Sequence, residues 1–241
     1  MPVEPSLSLV VPAYDEARTI VSCLRSIRGY FEARAEAFEI IVVADGTDGT
    51  RELASGAAAG DERVQVIGSR ERLGKGHAIR RGVELARGRR VGYVDADDKT
   101  PIEEYARIEP WLDRGYDVVI GTRHAAGVTI ERPQRWYRRA GSAAFRAAVR
   151  TLGLSDLSDT QCGFKFFRGD VARHLFSRIR TDGYMFDVEV LALAHRAGYR
   201  VREVPIRWRD DGDSRLELIR GNARNLRDLI RIHRSVRRQA W

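Results

Sequence analysis

The sequence predicts an α/β fold with a mainly parallel central sheet and helices on both faces. Apolar segments of strand length alternate along the chain with segments whose apolar residues recur at helical spacing, and this alternation is typical of parallel sheets with right-handed crossovers. The chain has 241 residues, of which 43% are hydrophobic and 32% charged, and it shows no internal repeat. These proportions are sufficient for one sizeable hydrophobic core.

The first half of the chain contains the regular part of this alternation. We expect strands at 7–11, 38–43, 63–67 and 91–95, with helices between them at 17–37, 50–59 and 75–86. Pro12 is expected to end the first strand, because proline has no backbone N–H to donate within a sheet.

In the second half the alternation becomes less regular. We expect helices at 102–112, 136–152 and 186–197, and strands at 117–122, 164–168 and 200–208. Pro205 indicates that the last strand lies at an edge of the sheet. From Leu216 to the end of the sequence, apolar residues alternate with arginines at helical spacing, which predicts a basic amphipathic helix.

Charge and cysteine content narrow the class of protein. The formal net charge of +8 favours anionic partners, which include phosphates, nucleic acid and an anionic membrane surface. No apolar stretch approaches the roughly 20 residues that span a bilayer, and no N-terminal signal pattern is present, so we expect a cytoplasmic protein. Cys23 and Cys162 are too isolated for a disulfide framework or a zinc site and are expected to be buried thiols.

The apolar run that begins at Val91 ends in three acids, Asp95, Asp97 and Asp98. The carboxyl end of a buried strand faces the ligand crevice of an α/β sheet. Asp95 and Asp97 are two residues apart, so on an extended backbone their carboxylates point the same way and suit Mg²⁺ or Mn²⁺. Alternatively, Asp97 and Asp98 cap a helix that begins near Pro101. Taken alone, the segment leaves both interpretations open.

Polar turns stand at six predicted strand ends: Val11-Pro-Ala-Tyr-Asp-Glu16, Val43-Ala-Asp-Gly-Thr-Asp-Gly-Thr50, Leu73-Gly-Lys-Gly-His-Ala78, Asp95-Ala-Asp97, Gly121-Thr-Arg123 and Asp159-Thr-Gln-Cys-Gly-Phe-Lys165. Their order and spacing resemble the family 2 glycosyltransferases of the GT-A fold. The likeness is to the branch that transfers a sugar from a nucleotide donor to dolichyl or other polyprenyl phosphate, and it covers nearly the whole chain. It implies a metal-dependent, inverting hexosyltransferase that uses Mg²⁺ or Mn²⁺ and a nucleotide sugar of the UDP-glucose or GDP-mannose type.

The resemblance also implies a domain organisation. A GT-A catalytic domain is expected at 1–212, with a nucleotide-binding half at 1–100 and an acceptor half at 101–212. The basic amphipathic helix at 213–241 follows it.

The donor-binding residues are assigned by the resemblance, which implies that the metal is held by Asp95 and Asp97. The full implied donor set is Pro12, Ala13, Tyr14, Glu16, Asp45, Gly74, Lys75, Asp95, Ala96 and Asp97. Because Gly74 precedes a predicted helix, the backbone amides there and the Lys75 ammonium can face a diphosphate. Lys99 stands where some relatives supply a third metal ligand, so either it contacts phosphate directly or Asp98 helps. Asp48 is expected to cap the helix after the second strand.

The acceptor side is implied by the later motifs. The implied acceptor-binding and phosphate-binding residues are Arg123, Arg138, Arg139, Gln161 and Lys165, and the implied catalytic residues are Asp159 and Arg123. A polyprenyl phosphate is already an anion and needs no strong base, whereas a soluble hydroxyl acceptor, the alternative, needs a carboxylate such as Asp159. Asp187 and Glu189 are expected to begin a helix rather than to take part in chemistry.

Two other classes of protein remain as remote alternatives. A nucleotidyltransferase would need a longer glycine-rich loop near the first strand, and a nucleic-acid-binding protein would interleave basic residues with exposed aromatic residues. We therefore expect no nucleic-acid partner. The C-terminal helix could bind an anionic membrane surface, cover the sheet or form a homodimer, which leaves peripheral attachment at the inner face of a membrane open.

Overall fold

The computed structural model describes residues 4–123, 149–209 and 223–238. Its strands are β1 (Leu7–Tyr14), β2 (Phe38–Asp45), β3 (Val64–Ile67), β4 (Arg90–Val94), β5 (Val118–Thr122), β6 (Phe164–Arg168) and β7 (Val201–Pro205). Its α-helices are α1 (Ile20–Ala33), α2 (Thr50–Ala57), α3 (Lys75–Leu85), α4 (Tyr105–Asp113), α5 (Gly169–Phe176), α6 (Phe186–Arg196) and α7 (Ala223–Arg238), and a 3₁₀ helix (Ile102–Glu104) precedes α4.

The strands of the described residues form one sheet in the order β3-β2-β1-β4-β6-β5-β7. All neighbouring strands are parallel except that β6 runs antiparallel to both β4 and β5. The amino end of β6 therefore lies at the same edge as the carboxyl ends of the other strands. The predicted mainly parallel sheet is confirmed, and β7 is an edge strand as Pro205 indicated.

Helices cover both faces of this sheet. Side chains of α1, α2 and α4 pack on one face, and side chains of α3, α5, α6 and α7 pack on the other. Strand β2 contributes to both layers, because Ile41 and Val43 belong to one cluster while Ile40 and Val42 belong to the opposite one. Because both faces of β2 are buried, its sequence is a nearly continuous apolar run. Burial of each of these apolar side chains stabilises the fold by about 1.5–3 kcal/mol.

The prediction that Pro12 ends the first strand is wrong. Strand β1 continues to Tyr14, and Pro12 stays in parallel register opposite Val43 of β2. Strand β4, the other neighbour of β1, pairs only as far as Val10. Pro12 therefore lies where β1 has lost one of its two neighbours, which is a position that tolerates a missing N–H.

Two further differences concern helices. Helix α5, which follows β6 directly, was not predicted from the sequence. Most of the predicted helix at 136–152 lies outside the described residues, and so do Arg138 and Arg139.

The basic amphipathic C-terminal helix is confirmed over Ala223–Arg238. Its apolar side chains Leu229, Ile232 and Val236 are buried in the core cluster that also contains α6. The Arg196 guanidinium at the end of α6 donates to the Arg237 carbonyl at 3.2 Å, so α7 packs against α6. No helix within 4–123, 149–209 and 223–238 is both long enough and apolar enough to cross a membrane.

Candidate active site

A cavity of about 630 Å³ opens at the carboxyl edge of the sheet, a volume within the range of small-molecule sites. Its walls come from the ends of β1, β2 and β4, from the loops after β3, β5 and β7, and from the turn before β6. The turn before β6 reaches this edge because β6 is antiparallel. A single cavity thus draws on both halves of the chain.

All of the residues expected to contact the donor line this cavity: Pro12, Ala13, Tyr14, Glu16, Asp45, Gly74, Lys75, Asp95, Ala96 and Asp97. Arg123, expected on the acceptor side, also lines it. The sequence reasoning missed Arg72, Tyr184 and Trp208, which line it too. Arg72 stands two residues before Gly74, whereas Tyr184 and Trp208 come from segments without a recognised motif.

The carboxylates of Asp95 and Asp97 are each accompanied by a lysine ammonium. Lys75 Nζ lies 2.5 Å from Asp95 Oδ1, and Lys99 Nζ lies 3.7 Å from Asp97 Oδ2. Asp97 lies in a turn rather than on an extended strand, so the predicted alternation of side chains does not apply. The helix-cap interpretation also fails, because Asp97 Oδ1 accepts from the Lys99 amide at 3.2 Å and no side chain caps the 3₁₀ helix.

The carboxylate oxygens of Asp95 and Asp97, with lysine ammonium groups beside them, suit a divalent cation that is bound together with phosphate. Burial and the neighbouring Asp95 carboxylate raise the pKa of Asp97, and a bound cation would relieve this accumulation of negative charge. The described residues contain no group of three or more His, Cys, Asp or Glu side chains suited to a metal. Magnesium commonly binds through only one or two carboxylates, with substrate phosphates and water completing its coordination.

The turn before β6 supports the Asp95 carboxylate. A Cβ atom added at Gly163 would lie 2.0 Å from Asp95 Oδ2 and 2.4 Å from its Cγ, so a side chain at Gly163 would displace the carboxylate. Cys162, the preceding residue, is buried, as is Cys23, which confirms the prediction of two buried thiols. Burial raises the pKa of the Cys162 thiol to about 12, so the thiol beside the cavity stays neutral.

At the start of α3, two backbone amides are bound by the loop that precedes α6. The backbone N–H groups of Gly76 and His77 donate to the Asp182 carbonyl at 2.8 and 3.3 Å. Gly74 has φ +108, and a Cβ atom there would lie 2.3 Å from the same carbonyl. Of the amides expected to face a diphosphate, that of Gly76 is therefore already engaged, whereas Gly74 and Lys75 line the cavity.

At the end of β2, Asp45 organises the loop that follows β3. Its carboxylate accepts from the amides of Ser69 and Leu73 at 3.1 and 3.2 Å. The loop carries Arg72, whose guanidinium lies 4.4 Å from the centroid of the Tyr14 ring. This stacked pair gives the cavity a flat, positively charged wall.

Asp48 was expected to cap α2, but Gly49 is the N-cap residue, and Asp48 instead binds the first residue of the helix from one position earlier. Its carboxylate accepts from the Thr50 amide at 3.0 Å, the Thr50 hydroxyl at 2.6 Å and the Ala17 amide at 3.1 Å. Burial by itself would raise the pKa of Asp48, but these hydrogen bonds outweigh it and lower the pKa. The same carboxylate thereby ties the turn after β1 to the start of α2.

Asp159 does not reach the cavity. It is 3% exposed, and its carboxylate accepts from the guanidinium of Arg123, with Nε and Nη2 at 2.7 and 2.8 Å. Glu203 of β7 accepts from the amides of Ser158 and Asp159. The prediction of Asp159 as a general base does not fit this arrangement, because the carboxylate is buried and engaged by Arg123.

Arg123 is the member of this group that reaches the cavity. Its guanidinium lies 5.6 Å from the Trp208 ring centroid, and both residues line the cavity. Burial alone would lower the pKa of Arg123, but the hydrogen bond and the charge of Asp159 raise it, so the guanidinium stays protonated.

Lys165 and Gln161 were expected to contact phosphate or acceptor, and neither lines the cavity. Lys165 is completely buried, donates to the Cys162 carbonyl at 2.7 Å and pairs with Asp187. The Gln161 amide nitrogen lies 3.9 Å from the Met185 sulfur. Both predictions are corrected, because these side chains turn into the core while the backbone of their motif forms the cavity wall.

Asp187 and Glu189 lie in the first turn of α6, as predicted, but both are buried. Glu189 accepts from the amides of Arg180 and Thr181. It therefore holds the loop before α6, which also contains the Asp182 carbonyl bound by α3.

A model of the glycosyl transferase family 2 matches residues 8–176. The chain is 38% identical over 218 residues to Glycosyltransferase AglD of Haloferax volcanii, covering 89% of this chain but only 35% of AglD. It is 33% identical over 226 residues to the dolichyl-phosphate beta-glucosyltransferase of Drosophila melanogaster, covering 87% of this chain and 69% of the relative.

Solved structures share the fold. Glucosyl-3-phosphoglycerate synthase from Mycobacterium tuberculosis in complex with UDP superposes with a TM-score of 0.71 at 22% identity, covering 96% of this chain and 80% of that one. A complex of the same synthase with Mn²⁺, UDP and phosphoglyceric acid gives a TM-score of 0.69 at 23% identity, covering 98% and 80%.

Proposed function

The chain belongs to glycosyl transferase family 2, and from that premise we propose that it transfers a hexose from a nucleotide sugar to a polyprenyl phosphate. The observation that carries the proposal is that all ten residues expected to contact the donor line one cavity. The acceptor is supported by the dolichyl-phosphate glucosyltransferase relative described above and by the engagement of Asp159 with Arg123.

The cavity offers separate environments for the parts of the donor. The stacked Tyr14 and Arg72 provide a flat surface for the nucleoside, and Lys75 and Lys99 bring positive charge to the diphosphate beside Asp95 and Asp97. A divalent cation bound by these two aspartates would neutralise charge on the departing nucleoside diphosphate. We propose 1–100 as the half that binds the nucleotide on this basis.

The proposed acceptor half, 101–212, contributes Arg123 and Trp208 to the lining of the same cavity. The protonated guanidinium suits a phosphate oxyanion. In the proposed inverting reaction, a phosphate oxygen of the acceptor bonds to the anomeric carbon. As that bond forms, the bond from the same carbon to the nucleoside diphosphate breaks on the opposite side, and the leaving group keeps the electron pair. No proton has to be removed from an anionic acceptor, which is consistent with a cavity that Asp159 does not reach.

The test is a transfer assay with UDP- and GDP-sugars and a polyprenyl phosphate, with metal and with EDTA. We expect a butanol-soluble glycolipid that forms only with divalent metal. The double variant Asp95→Asn and Asp97→Asn should lose this activity, whereas Asp113→Asn, at an exposed acid that does not line the cavity, should keep it. Full turnover by the double variant would refute the metal role, and transfer only to water-soluble acceptors would identify the alternative acceptor class.

We further propose that α7 attaches the protein to an anionic membrane surface. Its arginines Arg227, Arg231, Arg234, Arg237 and Arg238 are exposed, as is Ile230. Each arginine near such a surface contributes about 1 kcal/mol. Vesicle flotation should show binding to phosphatidylserine-containing vesicles that fails at high salt, and equal binding to neutral vesicles would contradict the proposal. Homodimer formation stays a prediction.

A further inference from the structure

A buried ion pair lies behind the wall of the cavity. Lys165 is 0% exposed and Asp187 is 2% exposed, and the Tyr93 hydroxyl donates to the same Asp187 carboxylate at 2.5 Å. Lysine is almost never fully buried without a partner, and removing two charges from water costs several kcal/mol for each ion. The donor-contacting residues described above do not include this pair, so its retention calls for an explanation.

The hydrogen bonds of the Lys165 ammonium lead towards the cavity. One of them goes to the Cys162 carbonyl at 2.7 Å, and Cys162 and Gly163 form the turn that lines the cavity. Gly163 is in turn the surface against which the Asp95 carboxylate rests, because a Cβ atom there would lie 2.0 Å from Asp95 Oδ2. Two contacts, joined by the peptide bond between Cys162 and Gly163, therefore connect the ion pair to Asp95.

We propose that Lys165 and Asp187 are positioning residues that hold the Cys162–Gly163 turn and thereby fix the Asp95 carboxylate for metal and diphosphate. This inference rests on the proposed function, since it concerns the geometry of the same donor site. Lys165 acts through a backbone carbonyl, so it touches neither donor nor acceptor.

Stability alone gives a weak reason for such a pair. Replacing both charges of a buried ion pair by neutral side chains of similar volume is often neutral or stabilising. What a neutral residue cannot supply is the ammonium donor for the Cys162 carbonyl. The geometry of the turn, and with it the position of Asp95, is therefore the property that the pair maintains.

The experiment uses the full-length double variant Lys165→Met and Asp187→Asn, which removes both charges and leaves an oxygen at position 187 to accept from Tyr93. Calorimetry measures the affinity for UDP, and for GDP in parallel, with Mn²⁺ and with EDTA. We expect the affinity with Mn²⁺ to fall by at least about tenfold, as is usual when a partner of a metal ligand is lost. The affinity in EDTA should be unchanged.

A matched control is Glu39→Gln with Arg87→Met, which neutralises another pair with a buried acid whose residues do not line the cavity. This control should keep the Mn²⁺-dependent affinity of the wild type. If the double variant does not fold, Tyr93→Phe removes one hydrogen bond to Asp187, keeps both charges and should give a smaller loss of the same kind.

The outcomes separate the two proposals. The positioning role is overturned if the folded double variant binds nucleotide with Mn²⁺ as tightly as the wild type does. Where the double variant does not fold, the same result for Tyr93→Phe overturns it. Either result leaves the proposed function intact. A wild-type protein that binds both nucleotides equally with Mn²⁺ and with EDTA overturns the metal role and this inference together.

Discussion

The Arg123 guanidinium donates two parallel hydrogen bonds to the Asp159 carboxylate, from Nε to Oδ2 at 2.7 Å and from Nη2 to Oδ1 at 2.8 Å. The Arg123 amide donates to Oδ2 as well, at 3.1 Å. This geometry fixes the direction in which the guanidinium can approach a ligand. Asp159 therefore orients Arg123, and Arg123 is the group of the pair that faces the cavity.

Asp159→Asn should destabilise the protein. The substitution leaves Arg123 partly buried beside a neutral amide, and breaking a buried pair in this way costs about 3–5 kcal/mol. Urea unfolding measures the loss, with Asp170→Asn as the control because its pair with Arg168 is exposed and worth about 1 kcal/mol or less. Unchanged stability combined with a large loss of turnover would instead point to Asp159 as a base.

Gly163→Ala should impair catalysis more than stability. The new methyl group would displace the Asp95 carboxylate, and a misplacement of about 1 Å can reduce the rate about 100-fold. Steady-state kinetics with the nucleotide sugar measure kcat/KM, and thermal unfolding tests the fold. Gly29→Ala is the control, because a Cβ atom at Gly29 meets nothing within 4 Å. Wild-type kcat/KM for Gly163→Ala would contradict the expected contact.

Asp48 should make the fold sensitive to acid. Its hydrogen bonds lower its pKa in the folded protein below the ordinary value of 3.8. The ionised carboxylate therefore stabilises the fold above that value, and the stabilisation is lost as the pH falls through the folded pKa. Urea unfolding of wild type and Asp48→Asn should show a constant difference above about pH 5 that shrinks below about pH 4. A difference that stays constant down to the acid transition would argue against this role.

Ile232→Ala should weaken the attachment of α7. Ile232 is 1% exposed, and truncating a buried isoleucine costs about 2–5 kcal/mol. Ile230 lies on the same helix but is 47% exposed, so Ile230→Ala should change the free energy of unfolding by no more than about 0.5 kcal/mol. Equal effects of the two substitutions in urea unfolding would contradict the observed orientation of α7.

The alternation of strands and helices was enough to predict the sheet, because buried parallel strands and the helices between them have distinct periodicities. The course of β1 through Pro12 was not predictable in the same way. Whether proline ends a strand depends on where the neighbouring strand stops, and β4 stops opposite Val10, which the local sequence does not record.

Residues that follow the carboxyl end of a parallel strand were correctly expected to lie together at one cavity. Asp95 and Lys75 are examples, because the carboxyl ends of parallel strands share an edge. The sequence-based predictions failed for residues whose surroundings are set by a segment far away in the chain. Asp187 draws Lys165 into the core, and the Asp182 carbonyl occupies the amides of Gly76 and His77. Both partners come from the segment before and at the start of α6, whose approach depends on the completed fold.

The antiparallel strand β6 has a consequence for the order in which the protein can be assembled during synthesis. It fills the gap between β4 and β5, although it leaves the ribosome more than 40 residues after β5. Until then, among the described strands, β4 has one unpaired edge, which is a template for aggregation, and β5 lacks both of its neighbours. The sheet therefore cannot be completed before β6 is made, and a nascent chain that stalls before Phe164 should depend on chaperones.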